Sequence, residues 1–379
     1  MKKYVAHMIT EYLGHTLNWV YTQIKYVPEF SPYIMTSKVM NLESYPVDMI
    51  FKPDFSISPH FSWVDRLFRR LGYLPVAHEY CFSSALRKYP PMLIHAHFGW
   101  DGFFALGLKK KFKIPLITRF YGYDVGILPR IPLWRRRYKQ LAAEGDLFIA
   151  EGKNMKSILE GIGFPSDKIV IHHLGIETEK ILYVRRIPIP NCLRILMAAT
   201  FKEKKGFEYA LQAIAMAQKK LPGINIVVKI IGDGILKQKL HDLARELNIE
   251  KNIQWMGYQP HSEFIKSLYE ADVFLSPSVT ASDGDTEGGA PVAIIEAGAS
   301  GLPVISTIHA DIPEVVLDGQ TGFLSPERNP DGLANAICEL SINIEKRQNF
   351  GIKAHEHVQA NYNAVIQGKY LTNIYSQFE

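Results

Sequence analysis

Asp283-Gly-Asp-Thr-Glu-Gly-Gly-Ala-Pro-Val-Ala-Ile-Ile-Glu296 is a glycine-rich loop that carries one glutamate and runs directly into a predicted helix carrying another. Upstream, Val273-Phe-Leu-Ser-Pro277 reads as a short buried strand; downstream, Gly301-Leu-Pro-Val-Ile-Ser306 reads as helix stop, loop and next strand. The unit is strand, loop, helix, strand, which points to a parallel α/β sheet. In such a unit the helix opens at the carboxyl ends of the strands, where unpaired backbone N–H groups and the helix dipole favour an anion. Gly288 and Gly289 let backbone approach a ligand closely, and Pro291 suits the first helical turn, where its missing N–H costs nothing. A phosphate fits that spot, and Glu296, well inside the helix, suits a ribose or sugar diol. The same residues also suit a capped helix with two surface acids on an ordinary sheet.

At 379 residues the chain exceeds what one hydrophobic core usually supports, so two domains are expected. The composition is that of a globular protein, and no apolar run is long enough to cross a bilayer. Met1–Thr10 is too short for a signal peptide, so the expected location is the cytoplasm. Cys81, Cys192 and Cys338 are widely spaced and match neither zinc nor redox patterns. Residues 1–190 carry 26 Lys and Arg against 16 Asp and Glu, whereas 191–379 carry 17 against 22. The first half is therefore at +10 and the second at −5, which suggests that the first domain meets an anionic surface or acceptor.

In the first half, Tyr4–Ile9 reads as a strand and Glu11–Thr16 as a loop with Gly14 just ahead of a helix at Leu17–Ile24; Thr16 alone also suits an N-cap. Trp63–Leu71 repeats its apolar residues at helical spacing, as a core helix or one lying on a membrane surface. Pro91–Gly99 is a strand bearing His95 and His97 on one face, a spacing that raises metal binding although no third ligand is evident. His95 reads as structural and His97, nearer the carboxyl end, as the site residue. The next strand and loop, Pro115–Asp124, end in Tyr121-Gly-Tyr-Asp124. Basic residues cluster at Lys109–Lys113, Arg130 and Arg135–Arg137, either as a solvated face or as a contact with anionic lipid headgroups. The stiff tract Ile187–Pro190 marks the expected domain boundary, giving 1–186, 191–355 and a terminal helical segment 356–379.

The second half opens with the strand Leu193–Ala198 and the loop Phe201–Phe207, which contains Lys205 before Gly206. Helix 208–220, strand 226–231, the turn Gly232-Asp-Gly234, helix 237–247 and strand 253–256 follow, then Gly257 and Tyr258. After the glycine-rich loop come His309-Ala-Asp-Ile-Pro-Glu314 and Asp318–Leu324.

Taken in order, these segments resemble the retaining GT-B glycosyltransferases of glycosyltransferase family 4, including those of exopolysaccharide and colanic-acid-type biosynthesis. The resemblance covers most of the chain and is densest over 191–325. It implies two facing Rossmann-like domains around a cleft, the first for the acceptor and the second for a nucleotide-sugar donor, with the terminal helix crossing back to the first. By resemblance, Glu296 holds the ribose and Glu287 a donor-sugar hydroxyl, and the backbone of Gly288, Gly289, Ala290, Pro291 and Val292 takes the diphosphate. Eight residues separate the two glutamates, one more than the family pattern, and the extra one falls in 288–290. Lys205 matches the family's diphosphate lysine, but Thr200 stands where the partner arginine belongs, so Lys202 or a backbone amide must compensate. Gly232 lies in the family's G-D-G turn, and the base is expected along Trp255 to Tyr258.

In the first domain the Gly14 loop, with His15 and Thr16, is implied to face the donor phosphates and acceptor. His97 falls in the family's H-x-H-F-G segment. Tyr121 replaces a histidine close to the transferred sugar, while Gly122 and Asp124 match; a tyrosine is a poor base near neutral pH. The implied activity is transfer of a sugar, with retention, to a saccharide or lipid-linked saccharide, without an obligatory metal or other cofactor and without a nucleic-acid partner. Closure of the domains would exclude water from the donor. Asp283 and Asp285 could instead be the metal-binding acids of the other main glycosyltransferase architecture. A nicotinamide oxidoreductase would want G-x-G-x-x-G after a first strand, which neither half has. A catalytically weak sugar- or nucleotide-binding protein on the same fold is the remaining alternative, because Tyr121 and Thr200 depart at sensitive places.

Overall fold

A computed structural model describes residues 2–14, 18–53 and 62–379. The chain forms two compact units, Met1–Gly175 with Ala364–Glu379, and Ile176–Asn363. His15 and Thr16 lie outside the described residues.

The first unit carries β1 (Tyr4–Met8), β2 (Glu11–Tyr12), β3 (Ser31–Met35), β4 (Lys38–Val39), β5 (Ile50–Phe51), β6 (Pro91–His97), β7 (Leu116–Arg119), β8 (Leu147–Ala150) and β9 (Ile169–Ile171). Seven of these pair in parallel in the order β5-β3-β1-β6-β7-β8-β9, with β2 and β4 as a separate pair. Alternation along the strands divides the buried side chains between two cores. Ala6, Met8, Ile94 and Ala96 enter one, whereas Val5 and Leu93 enter the other with Leu371, Ile374 and Tyr375. The helix Ala364–Ser376 thus belongs to the first unit, because its apolar face closes that second core.

The second unit carries β10 (Cys192–Ala198), β11 (Asn225–Ile231), β12 (Ile253–Gly257), β13 (Val273–Ser276), β14 (Val304–Thr307) and β15 (Gly322–Ser325), all parallel in the order β12-β11-β10-β13-β14-β15. Leu193, Ile195 and Met197 pack on one face with Leu211 and Ile214, and Leu196 on the other with Phe274 and Ile294. Both faces are covered, as the continuous apolar strands require.

The boundary lies earlier than the Ile187–Pro190 tract. Ile176 and Ile181 already enter a core of the second unit, and Arg186 donates to the Leu268, Ala271 and Ser300 carbonyls, anchoring the approach to the proline tract there. Proline stiffness is a local property, whereas unit membership follows burial. Among the described residues no helix is long and apolar enough to cross a membrane.

Candidate functional site

The second sheet reverses its winding between β10 and β13, so the loops leaving their carboxyl ends open side by side. Gly206 (φ +65°) makes the approach possible, since a Cβ there would run into the Pro277 carbonyl. The Val279 amide donates to the Lys204 carbonyl at 2.8 Å, joining the two loops. Lys205 and Glu287, 82 residues apart, are thereby brought together: Lys205 Nζ lies 2.7 Å from Glu287 Oε2. Ser278 Oγ donates to Glu287 Oε1 at 2.7 Å. Burial pushes the Glu287 carboxyl up, but the Lys205 and Lys204 charges, with the hydrogen bonds from Lys205 and Ser278, hold it below the usual carboxylate range.

The second cation of this loop is Lys204 and not Lys202. Lys204 Nζ donates to Asp285 Oδ1 at 3.1 Å and to the Thr286 carbonyl at 3.0 Å, while Lys202 is exposed. Thr200 is exposed at the end of β10. At the end of β11, Gly232 (φ +150°) passes where a Cβ would strike the Ala199 carbonyl, and its amide donates to Gly257. Tyr258 follows β12 and is 74% exposed, free to stack on a planar ring. The carboxyl ends of three adjacent strands therefore present Thr200, Gly232 and Tyr258 in a row.

Pro291 stands one position earlier than expected, as the N-cap of the helix Val292–Ala299, with extended ψ (131°). Gly288, Gly289 and Ala290 lead into it, and Glu296 sits on its buried face. Glu296 Oε1 shares a 2.7 Å hydrogen bond with His261 Nε2, which outweighs burial and raises the His261 pKa. His309, in the loop after β14, connects the site. Its Nε2 accepts from the Glu287 amide at 3.2 Å, and its Nδ1 lies 2.6 Å from Glu327 Oε1. Glu327 in turn accepts from Thr280 N and Oγ1. No local pattern in the sequence links positions 287, 309 and 327.

In the first unit, the Tyr121 hydroxyl and His97 Nδ1 are 2.7 Å apart, and the Trp19 ring packs 4.2 Å from the Tyr121 ring. Burial pushes the Tyr121 phenol well up and the His97 imidazole well down, so neither is charged near neutral pH. Asp124 is a brace and presents no carboxylate to a ligand: it is fully buried, and its oxygens accept from the Gly99 and Tyr121 amides. Gly14 is half-buried beside the undescribed stretch. A third imidazole absent from the sequence reading, His7 on β1, pairs in register with His95. Among the described residues these three histidines form a group spaced so that it could hold a metal ion, and Asp283 and Asp285 belong to no such group of three.

Three lysines of the basic cluster are compensated by acids. Lys109, Lys110 and Lys111 pair with Asp146, Glu144 and Glu79. Arg137, expected on the surface, is buried: it donates to the Arg69 and Arg70 carbonyls and lies 4.7 Å from the Trp134 ring centre.

Residues 188–357 match the family described as Glycosyl transferases group 1, and residues 50–180 the one described as Glycosyltransferase Family 4. The chain is 33% identical to the putative colanic acid biosynthesis glycosyltransferase WcaL of Salmonella typhimurium, over 71% of this chain and 66% of that one. It is also 33% identical to the amylovoran biosynthesis glycosyltransferase AmsK of Erwinia amylovora, over 73% and 68%. The chain thus spans about two thirds of the length of these relatives. Its fold is that of HepE from Anabaena, solved with UDP and glucose (TM-score 0.77, 16% identity, 99% and 100% covered). A glycosyltransferase from Rickettsia africae is equally similar (TM-score 0.78, 17% identity, 100% and 98% covered). These likenesses establish the GT-B fold.

Proposed function

The chain belongs to glycosyltransferase family 4, and from that premise we propose that it transfers a sugar, with retention of configuration, from a nucleotide-sugar donor to a saccharide acceptor in surface-polysaccharide synthesis. The observation that carries this reading is the Lys205–Glu287 pair at the switch point of the second sheet, beside the helix that bears Glu296. The diphosphate is assigned to Lys205 and the backbone of 288–292. Its ribose falls to Glu296, its base to Tyr258, and a sugar hydroxyl to Glu287. As the glycosidic bond breaks, negative charge grows on the diphosphate; the Lys205 and Lys204 ammonium groups and the helix start would stabilise it without reorganising. That supply of positive charge is why no metal is assigned to the transfer step.

The acceptor is assigned to the first unit, with Tyr121 as a neutral hydrogen-bond donor held by His97. A lipid-linked acceptor and an anionic membrane surface fit the exposed Leu67, Leu71 and Leu133 with Arg70 and Arg136, on two helices that Arg137 joins. Sedimentation with anionic vesicles tests this patch; absence of binding at low salt removes it.

The main test is a thermal-stabilisation screen of nucleotide sugars on the full chain, followed by turnover of the labelled hit. Stabilisation with transfer or slow hydrolysis supports the enzyme. Stabilisation without any turnover favours the binding-protein alternative, and no response to any nucleotide sugar overturns the donor-site assignment.

A further inference from the structure

The first unit places three imidazoles together, of which the transfer reading uses only His97, through its contact with Tyr121. β1 and β6 pair in parallel with His7 opposite His95, and His97 follows on the same face. All three are 2% exposed or less. Their candidate ligand nitrogens all lie within 4.8 Å of one another.

The outer nitrogens of two of the rings are already held. His95 Nδ1 meets the Tyr375 hydroxyl at 2.6 Å, and His97 Nδ1 meets the Tyr121 hydroxyl at 2.7 Å. Such partners fix ring orientation and tautomer in metal sites, leaving Nε2 to ligate. His95 Nε2 is buried and has no hydrogen-bond partner, although a buried polar atom ordinarily finds one. His97 Nε2 lies 3.1 Å from His7 Nδ1. Two nitrogens at zinc bonding distance in a tetrahedral site stand about 3.3 Å apart, so this pair is already at the required separation. An inward shift of at most about 1.5 Å brings the third nitrogen to the same spacing.

We propose that His7, His95 and His97 bind one divalent transition-metal ion of the zinc class. Three neutral imidazoles select zinc or cobalt over magnesium or calcium, which want oxygen ligands. The contact between His97 Nε2 and His7 Nδ1 is a hydrogen bond in the absence of an ion, so binding displaces the one proton shared there. Three protein ligands leave a fourth position for water, which the ion acidifies to a pKa of about 7; as hydroxide it offsets part of the buried charge. The ion ties β1 to β6 and, through Tyr375, to the last helix, and it sets His97 to donate from Nδ1–H to the Tyr121 oxygen. The site is closed in the folded unit, so the ion is acquired as the chain folds.

The full chain is produced with zinc, or with cobalt in its place, and dialysed against metal-free buffer. The expected result is about one ion per chain by elemental analysis and, for cobalt, the intense visible absorption of a four-coordinate site. Folded His95→Gln should lose both signals, and Tyr375→Phe should weaken metal affinity about 10–100-fold. Absence of bound zinc and cobalt from the wild-type chain overturns the proposal, as does retention by folded His95→Gln. If His95→Gln does not fold, Tyr375→Phe decides, and an unchanged affinity overturns it. These readouts involve no sugar donor, so the donor-site reading stands or falls separately.

Discussion

Lys205 Nζ and Glu287 Oε2, 2.7 Å apart, form an ion pair that joins the loop after β10 to the loop after β13, with Glu287 only 6% exposed. The pair holds the lysine in place before any ligand arrives. Its cost is that neither partner can be removed without exposing the other. Breaking a buried pair typically destabilises by about 3–5 kcal/mol, more than either charge contributes at a surface.

Lys205→Ala should therefore lose turnover by about two to three decades, roughly 2.7–4 kcal/mol, and lose thermal stability as well. Adding Glu287→Gln removes the stranded carboxylate and should recover stability without recovering turnover. Near-normal turnover of Lys205→Ala would falsify the placement of the leaving group. Thr200→Arg should partly rescue Lys205→Ala, because it restores a cation at the end of β10.

Glu296→Ala should weaken binding of the sugar nucleotide and of the free nucleoside diphosphate alike, by about 10-fold to 100-fold, because the contact assigned to it is with ribose. Calorimetry on both ligands checks this. Unchanged affinity for the diphosphate would move the ribose elsewhere.

Asp101 gives a pH signature in the first unit. It accepts from Thr10 N at 3.0 Å and Thr10 Oγ1 at 2.6 Å, and burial, which outweighs those bonds, raises its pKa to about 7. A carboxyl whose folded pKa is raised contributes stability below its unfolded value near 3.8 and loses that contribution as pH rises through about 7. An amide can accept from the Thr10 N–H and donate to its hydroxyl. Asp101→Asn should therefore gain on the wild type by about 2–4 kcal/mol between pH 4 and pH 8. Parallel denaturation curves at the two pH values test it; an equal difference at both would show that Asp101 does not titrate there.

Arg137→Ala should destabilise the first unit by about 2–4 kcal/mol, since it removes two carbonyl contacts and the ring contact with Trp134. Its exposed neighbour Arg136 should cost no more than about 0.5 kcal/mol when changed to alanine. Equal effects of the two substitutions would contradict the burial of Arg137.

The strand, loop and helix around Asp283–Glu296, the lysine before Gly206 and the two series of α/β units were readable in the chain because their signals are local. Alternation, glycine and proline punctuation and the glutamate spacing all lie within a few consecutive residues. His309 and Glu327 were not readable as site residues, nor was His7 as a partner of His95, because each meeting depends on parallel strands brought side by side by the crossovers between them. Arg137 looked like its two neighbours in sequence; the packing of its helix on Ser62–Leu71 turned one arginine inward and left the others in water. The same holds for the division into units. A proline tract announces stiffness where it stands, but Ile176 and Ile181 join the second unit because that is where their apolar surface is removed from water, and burial is settled between distant parts of the chain.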